Sequence, residues 1–343
     1  MEKVLRFGII GCGVIAPHHA SAIIANEKAR LVAACDIIED KAIALKEKYG
    51  AQSYYTDYRE MLKRDDLDVV CICTPSGMHS EMAESAAQAG KHVFCEKPLD
   101  ITKEKISAMI ETCRKERVKL GCVFQRRTMP EAIAVKKAID AGTLGKLVLA
   151  DAYLKYYRSQ DYYNSATWRG TWELDGGGAL MNQGVHGIDL IIWLVGEVES
   201  VFARAAAQVR QIDVEDTAIA LVKYKNGAFG VIEGTTSVYP AQDTRFEIHG
   251  DQGSIIFDDS GFKQWQTLAD DKDVFPLMEN KKLGGSGDNK DISSEGHYIL
   301  INDMINAINE DRDPMITGEQ AQKAVDLILA IYKSAQTGKE VFL

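Results

Sequence analysis

The sequence predicts an α/β protein with a doubly wound parallel sheet first and an α+β domain with a large, mainly antiparallel open sheet second. Up to about residue 124, short apolar runs alternate with longer amphipathic ones, which is typical of parallel βαβ units. Beyond it, strand-like runs follow one another closely, and Asn226-Gly227 lies between two of them as a hairpin signal. We therefore expect domains at 1–124 and 125–343, with the closing helices able to pack back on the first domain.

The individual elements follow from the same patterns. In the first domain we expect strands at "VLRFGII", "ARLVAACD", "DVVCICTP", "KHVFCEKP" and "VKLGCVF", and helices at Ala16–Asn26, Glu39–Tyr49, Ser80–Ala89 and Lys103–Arg117. In the second we expect helices at Pro130–Ala141, Leu180–Leu194, Glu295–Asn309 and Glu319–Gln336, and strands between them. Glu279–Asp291 has the composition of a mobile loop.

Composition narrows the class of protein. With a net charge of -10, the chain lacks the clustered cations of a nucleic-acid surface. No apolar run approaches the roughly 18 residues of a membrane span, and the N-terminus has no signal-peptide pattern, so we expect a cytoplasmic protein. The seven cysteines lie between Cys12 and Cys122, mostly in apolar runs, and we expect no disulfide and no bound metal.

A glycine motif follows the first strand. Gly11-x-Gly13-x-x-Ala16 stands between a strand and a helix, where glycines permit a tight turn and close approach to a pyrophosphate at the helix N-terminus. The next strand ends in Asp36, whose carboxylate can accept both ribose hydroxyls. This pattern predicts a Rossmann domain that binds NAD, with NADP disfavoured because the acid repels a 2′-phosphate. The alternative is an ordinary glycine turn beside a solvent-facing Asp.

"CEKP", Cys95 to Pro98, ends a later strand, at the sheet edge where open α/β sheets bind ligands. Lys97 precedes Pro98, which restricts its backbone, so its side chain projects from a fixed position. "CTPSGMH" ends the preceding strand in the same way. The alternative for Lys97 is an exposed loop lysine, the commonest fate of that residue.

A polar stripe is predicted on the helix that follows three glycines, Gly176 to Gly178. On a helical wheel Asn182, His186, Asp189 and Trp193 fall within about 60° of one another, flanked by apolar residues. An amide, an imidazole and a carboxylate suit an enclosed polar cleft, and His titrates near neutrality. The alternative is a buried His satisfied by neighbouring hydrogen bonds.

Aromatic and cationic residues are concentrated just before those glycines. Tyr156 to Trp172 holds four Tyr, two Trp, Arg158 and Arg169, a composition suited to a sugar or base with a carboxylate or phosphate. The alternative is an aromatic loop packed on the sheet or at a subunit interface. "FQRRTMP" places Gln125, Arg126 and Arg127 beyond the last parallel strand, and we expect one of these two arginines to be solvated.

The combination of "GIIGCGVIA", "TPSGMH", "CEKP" and "GVHGID" resembles the Gfo/Idh/MocA family of NAD(P)-dependent oxidoreductases over essentially the whole chain. The resemblance implies that Lys97 contacts the nicotinamide ribose and the substrate. It also implies that His186 takes the proton from the hydroxyl whose carbon gives up hydride. The family commonly has an Asp four residues before that His, where this chain has Asn182, which cannot accept a proton.

Within the family, "WRGTW...DGGGALMNQGVH" is similar to the branch of UDP-N-acetylglucosaminuronate 3-dehydrogenases and related sugar dehydrogenases. This implies a sugar or sugar-nucleotide substrate, and a homodimer or homotetramer paired through the second-domain sheet. Three alternatives stay open: an inositol or free-sugar dehydrogenase, an oxidoreductase for a non-sugar compound, and a non-catalytic NAD-dependent sensor.

The resulting candidate residues fall into three groups. The catalytic candidates are Lys97 and His186. The cofactor-binding candidates are Gly11, Cys12, Gly13, Val14, Ile15, Asp36, Thr74, Pro75, His79, Glu96 and Lys97. The substrate-binding candidates are Lys97, Gln125, Arg126, Arg158, Trp168, Arg169, Asn182 and His186.

Overall fold

The computed structural model describes residues 3–270 and 294–343. These residues form two compact units. The first consists of the chain up to Gln125 with Ser294–Gln322, and the second of Arg126–Ser293, as far as it is described, with Lys323–Leu343. The loop predicted at Glu279–Asp291 lies outside the described residues.

The first unit contains a six-stranded, all-parallel sheet in the order β3-β2-β1-β4-β5-β6. Its strands are β1 Leu5–Ile10, β2 Ala29–Cys35, β3 Ser53–Tyr55, β4 Val69–Ile72, β5 His92–Cys95 and β6 Leu120–Cys122. Its α-helices are α1 Ala16–Ile24, α2 Glu39–Tyr49, α3 Tyr58–Leu62, α4 His79–Gln88, α5 Lys103–Lys115 and, near the end of the chain, α9 Glu295–Asn309. Short 3₁₀ turns follow at Ser76–Met78 and Gln125–Thr128. The predicted doubly wound sheet is confirmed.

Local chemistry explains these boundaries. Strand β4 is buried at every position, as continuous apolar strands of parallel sheets are. Helix α5 begins at Thr102, whose side chain accepts a hydrogen bond from the Lys105 N–H, and α2 ends at Gly50 in the left-handed region. Strand β3 was not predicted, because three partly exposed residues at a sheet edge leave no periodic pattern.

The second unit contains an eight-stranded mixed sheet in the order β13-β12-β11-β7-β10-β9-β8-β14. Its strands are β7 Leu147–Lys155, β8 Val198–Ala206, β9 Thr217–Tyr224, β10 Phe229–Thr235, β11 Arg245–Gly250, β12 Gly253–Asp258, β13 Gly261–Thr267 and β14 Val341–Phe342. Its helices are α6 Pro130–Asp140, α7 Gln160–Asn164, a π-helix Ala179–Gly184 and α8 Val185–Val195. Helix α10, Gly318–Thr337, begins in the first unit and continues into the second.

This sheet is antiparallel except where β7 runs parallel to β10, so the prediction of a mainly antiparallel sheet is confirmed. The predicted hairpin joins β9 to β10, with Gly227 at φ +92°. Helix α8 packs on β7 so closely that a Cβ at Gly187 would lie 2.3 Å from Leu154. None of the described helices combines the length and apolar character needed to cross a membrane.

The helix predicted at Leu180–Leu194 is built in two pieces, a π-helical turn and then α8. A π-helix bonds i to i+5 rather than i+4, so a wheel drawn at 100° per residue misplaces side chains of the first piece. Asn182 is in that piece and His186 is in α8. The 100° wheel therefore does not apply to the first piece, although Asn182, His186 and Trp193 are part-buried while most of their neighbours are buried.

Candidate functional site

The glycine loop after β1 has the backbone that a dinucleotide site needs. Gly11 has φ +89°, and a Cβ there would lie 2.6 Å from the carbonyl oxygen of Cys73. Gly13 faces open space, with nothing within 4 Å of an added Cβ. Helix α1 begins after Ile15 without a side-chain cap, which leaves its N-terminus suited to an anion.

Asp36 is fixed beside this loop by two backbone donors. Its carboxylate accepts hydrogen bonds from Cys12 N–H and Ile38 N–H, each at 2.8 Å. Each carboxylate oxygen retains a further lone pair for a ribose hydroxyl. Val14, 60% exposed, completes the loop surface. These residues together fit NAD: the N-terminus of α1 is uncapped, Gly13 faces open space, and the Asp36 carboxylate is held in place.

The turn after β4 is held to the turn after β5 by a histidine. His79 is 1% exposed, and its ring nitrogens lie 2.8 Å from the Pro98 carbonyl oxygen and 2.9 Å from the Thr74 carbonyl oxygen. Pro75 stands at the start of the 3₁₀ turn that leads into α4. His79 thus fixes the two turns, and the predicted contact of these residues with cofactor stays a prediction.

Lys97 lies in the turn after β5, part-buried, next to a buried carboxylate. Glu96 is 6% exposed, and one oxygen accepts hydrogen bonds from His19 Nε2 at 2.8 Å and His297 Nε2 at 3.3 Å. Its other oxygen accepts the Lys97 N–H at 3.2 Å. Glu96 was predicted as a cofactor residue; its carboxylate is engaged inside the first unit.

In the second unit, the backbone from Gly178 to Leu180 closes around another buried acid. Glu215 accepts the N–H groups of Gly178 and Leu180 and the hydroxyl of Tyr332, at 2.9, 2.8 and 2.8 Å. Burial raises the pKa of Glu215 to about 7, although these donors favour the charged form. A Cβ at Gly178 would lie 1.8 Å from the Glu215 carbonyl oxygen, so glycine is required there. Glu215 thereby anchors the turn that leads to His186.

A chain of side-chain hydrogen bonds runs from Asn182 to Arg158. The Asn182 amide donates to buried Asp175 at 2.5 Å and accepts from Gln183 at 2.9 Å. Gln183 in turn accepts from Arg158 at 2.9 Å. Asn182 is therefore oriented by a carboxylate behind it, and His186, part-buried, follows one helical turn later.

The aromatic segment stacks on its cations. Arg169 lies over the rings of Tyr162 and Trp168, at 4.2 and 4.6 Å, and also hydrogen-bonds the Tyr162 hydroxyl. Arg158 lies 5.4 Å from the Tyr162 ring centre. Among the described residues neither arginine has a carboxylate within ion-pair distance, and the buried Arg169 Nε has no hydrogen-bond partner. Two cations thus share one tyrosine, and neither contacts a carboxylate directly among the described residues.

The two arginines after the parallel sheet are already neutralised. Arg126 pairs with Asp259 at 2.6 Å and donates to Thr244, which argues against its predicted role in substrate binding. Arg127, 5% exposed, pairs with Asp189 through two short hydrogen bonds. The expectation that one of them is solvated is wrong, and Asp189 serves this pair rather than a polar cleft. Gln125 begins the 3₁₀ turn that carries them.

Sequence reasoning missed several residues that hold the site. Glu215, Asp175 and Gln183 were not identified, nor were His19 and His297. The signal for Glu215 is an acidic residue two positions before β9, a strand whose alternate residues are buried. The two histidines had no usable signal, because 278 positions separate them and only the fold brings them to Glu96.

Comparisons with known proteins agree with this geometry. Residues 5–124 match the model of the oxidoreductase family with an NAD-binding Rossmann fold, and residues 132–256 match the GFO/IDH/MocA C-terminal domain. A myo-inositol 2-dehydrogenase of Thermotoga maritima is 32% identical, over 99% of this chain and 98% of the relative.

Solved structures give the same result. The WlbA dehydrogenase from Bordetella pertussis, in complex with NADH and UDP-GlcNAcA, superposes with a TM-score of 0.88 at 34% identity, covering 99% of each chain. A levoglucosan dehydrogenase in complex with NADH and levoglucosan superposes with a TM-score of 0.88 at 26% identity, also covering 99% of each.

The buried acid at the glycine turn predicts a pH dependence of stability. Because the folded pKa of Glu215 is about 7 against an ordinary 4.5, the folded protein binds more protons than the unfolded one between these values. Its free energy of unfolding should therefore fall by about 3 kcal/mol from this group as pH rises through that window. Urea unfolding of Glu215→Gln and wild type at several pH values measures the difference, with exposed Glu173→Gln as control. Parallel pH profiles for wild type and Glu215→Gln would contradict this account.

Proposed function

We propose, because this chain belongs to the GFO/IDH/MocA oxidoreductase family, that it is an NAD-dependent dehydrogenase acting on an acidic sugar or sugar nucleotide. It moves hydride between nicotinamide and a secondary alcohol carbon. The first unit holds NAD through the glycine loop and Asp36, and the second unit holds the substrate. NAD, when bound, supplies the hydride acceptor.

The proposal of an acidic substrate rests on Arg158 and Arg169, which contact no carboxylate directly among the described residues. Burying a cation without an anionic partner destabilises the protein. Binding of an anionic ligand offsets part of that free-energy cost. Arg158 is 7% exposed and Arg169 has a buried N–H without a partner, so both suit a carboxylate or phosphate. The flanking tyrosine and tryptophan rings suit a sugar or base face. A neutral inositol would leave these cations unmatched, and for that reason it is the less favoured substrate.

The proton is handled by two side chains. His186 accepts the hydroxyl proton in oxidation and returns it in reduction, since imidazole titrates near neutrality. Lys97 hydrogen-bonds the reacting oxygen. Asn182 does not titrate; held by Asp175 and Gln183, it presents a fixed amide to a substrate hydroxyl. These roles distinguish the enzyme from a sensor that binds NAD without turnover.

The experiment on chemistry uses a panel of free sugars, inositols, uronic acids and UDP-sugars, with NADH absorbance as the readout. We expect turnover of an acidic member. Lys97→Ala and His186→Ala should each lower kcat by about 100- to 10,000-fold, as loss of a proton-transfer group does. We expect both variants to bind NAD with wild-type affinity in calorimetry. This expectation is firmest for His186→Ala. Tight NAD binding with no turnover of any panel member would favour the sensor instead.

The substrate anion has its own test. Arg158→Gln should raise KM for the acidic substrate by about 10- to 100-fold, the value of one charge-assisted hydrogen bond, and leave kcat for a neutral sugar unchanged. Exposed Lys146→Gln removes the same charge away from these rings and serves as control. Equal losses on acidic and neutral substrates would show that Arg158 does not read the anion.

We also propose that the second-unit sheet pairs with a second copy of this chain. The outward face of this sheet carries exposed apolar side chains, and such a patch marks an interaction surface. They are Phe229, Leu221, Ile219, Leu149 and Phe202, which are 38–58% exposed. The seven cysteines, all within the described residues, form no disulfide, which supports a reducing compartment such as the cytoplasm.

Leu221→Asp should therefore shift the molar mass from an oligomer toward the 37.9 kDa monomer. A buried charge in an apolar interface has no partner, so association weakens. Light scattering after size-exclusion chromatography measures the shift, with Ile24→Asp on α1 as a matched exposed control. A monomeric wild type, or an unchanged oligomer in Leu221→Asp, would contradict pairing through this face.

A further inference from the structure

Three titratable side chains meet inside the first unit. His19 on α1 and His297 on α9 are 0% exposed, and Glu96 after β5 is 6% exposed. Both ring Nε2 atoms point at the same Glu96 oxygen, and the imidazole centres lie 5.0 Å apart in an edge-to-face contact. Burying two imidazoles and a carboxylate together has a desolvation cost. We therefore ask which part of the chain this shared hydrogen bonding holds in place.

Glu96 holds the turn that carries Lys97. The second Glu96 oxygen accepts the Lys97 backbone N–H, while the Glu96 N–H continues the ladder to Ile72 on β4. The carboxylate therefore connects the turn after β5 to two helices. One of them, α1, starts at the glycine loop, and the other is α9.

The charges in this cluster are defined by their surroundings. Burial lowers the pKa of His19, so its ring is neutral and donates through Nε2–H. Burial alone would raise the pKa of Glu96, but the hydrogen bonds from His19 and His297 outweigh it and hold that pKa well below its ordinary value. Glu96 is thus a buried carboxylate held by two imidazole donors, and a hydrogen bond to an ionised acceptor is strong and directional.

The same three atoms have the composition of a metal site, and the histidine rings argue against one. A ring that binds a metal through Nε2 carries its hydrogen on Nδ1, which then needs an acceptor. The Nδ1 atoms of His19 and His297 are buried without a hydrogen-bond partner among the described residues. In neutral His19, which donates to Glu96 through Nε2, Nδ1 is a bare lone pair, and an unsatisfied acceptor is more readily buried than an unsatisfied N–H.

We propose that Glu96, held by His19 and His297, is the positioning residue for Lys97. It fixes the backbone of the lysine and links that position to the helix that follows the dinucleotide loop. The inference rests on the proposed function only in that Lys97 acts on the substrate.

The kinetic test compares two substitutions at one buried position. In His297→Gln the side-chain amide can replace the Nε2–H donor, whereas His297→Leu cannot donate. We expect kcat to fall up to about 100-fold in His297→Leu, as a displaced catalytic group does, with KM little changed and with recovery in His297→Gln. Met304→Leu, at a fully buried position on the same helix, controls for repacking. Equal kcat in the Leu and Gln variants would overturn the proposal.

A second readout does not depend on turnover. Lysines are dimethylated with ¹³C-formaldehyde, and the Lys97 resonance is identified by its loss in Lys97→Arg. In His297→Leu and in Glu96→Gln this resonance should shift, with recovery in His297→Gln. An unmoved resonance overturns the proposal even if a substrate is found, and a shifted one supports it even if the substrate panel fails. Stoichiometric zinc in purified wild type that is lost in His297→Leu would also overturn it, because Glu96 would then be a ligand.

Discussion

The close approach of β1 to the end of β4 at Gly11 is the constraint on which the first unit depends. A side chain at Gly11 would meet the Cys73 carbonyl, so only glycine lets the chain turn there and enter α1. That turn places the helix N-terminus, Asp36 and the residues after β4 at one edge of the sheet. It also fixes where α1 begins, and therefore where His19 reaches Glu96.

The second unit solves a similar problem with different residues. Gly177 and Gly178 pass so close to Tyr332 and Glu215 that a Cβ at either would clash. The backbone N–H groups released by this tight path are taken up by Glu215, and the chain continues as a π-turn before α8. A buried acid thus holds a strained approach to the helix that carries His186, and burial raises the pKa of that acid. Since π-turns occur often at functional sites, the irregularity fits the position of Asn182 and His186.

The sequence predicted elements well where one local rule decides them. Glu39–Tyr49 and Glu295–Asn309 have the predicted bounds; each has an acidic residue in its first turn, and Gly50 in the left-handed region follows the first of them. It failed where partners are distant in the chain. Nothing near Arg126 indicates Asp259, and nothing near Arg127 fixes its pairing with Asp189, so a predicted substrate arginine and a predicted cleft acid are structural ion pairs. The π-turn also escaped prediction, because it depends on the acceptor Glu215 rather than on the residues that form it.

The buried acids and the arginines of this segment have different kinds of partner. The buried acids Asp175, Glu96 and Glu215 are engaged by donors of the chain itself, so little of their charge remains to bind a ligand. Arg158 and Arg169 differ, since the described groups that they contact directly are rings, amides and carbonyl groups rather than carboxylates. A carboxylate can be satisfied by backbone N–H groups, but a guanidinium has only donors and needs an acceptor, best an anion. The acids therefore shape the backbone of this segment, and Arg158 and Arg169 are the residues to which we assign the proposed recognition of an anion.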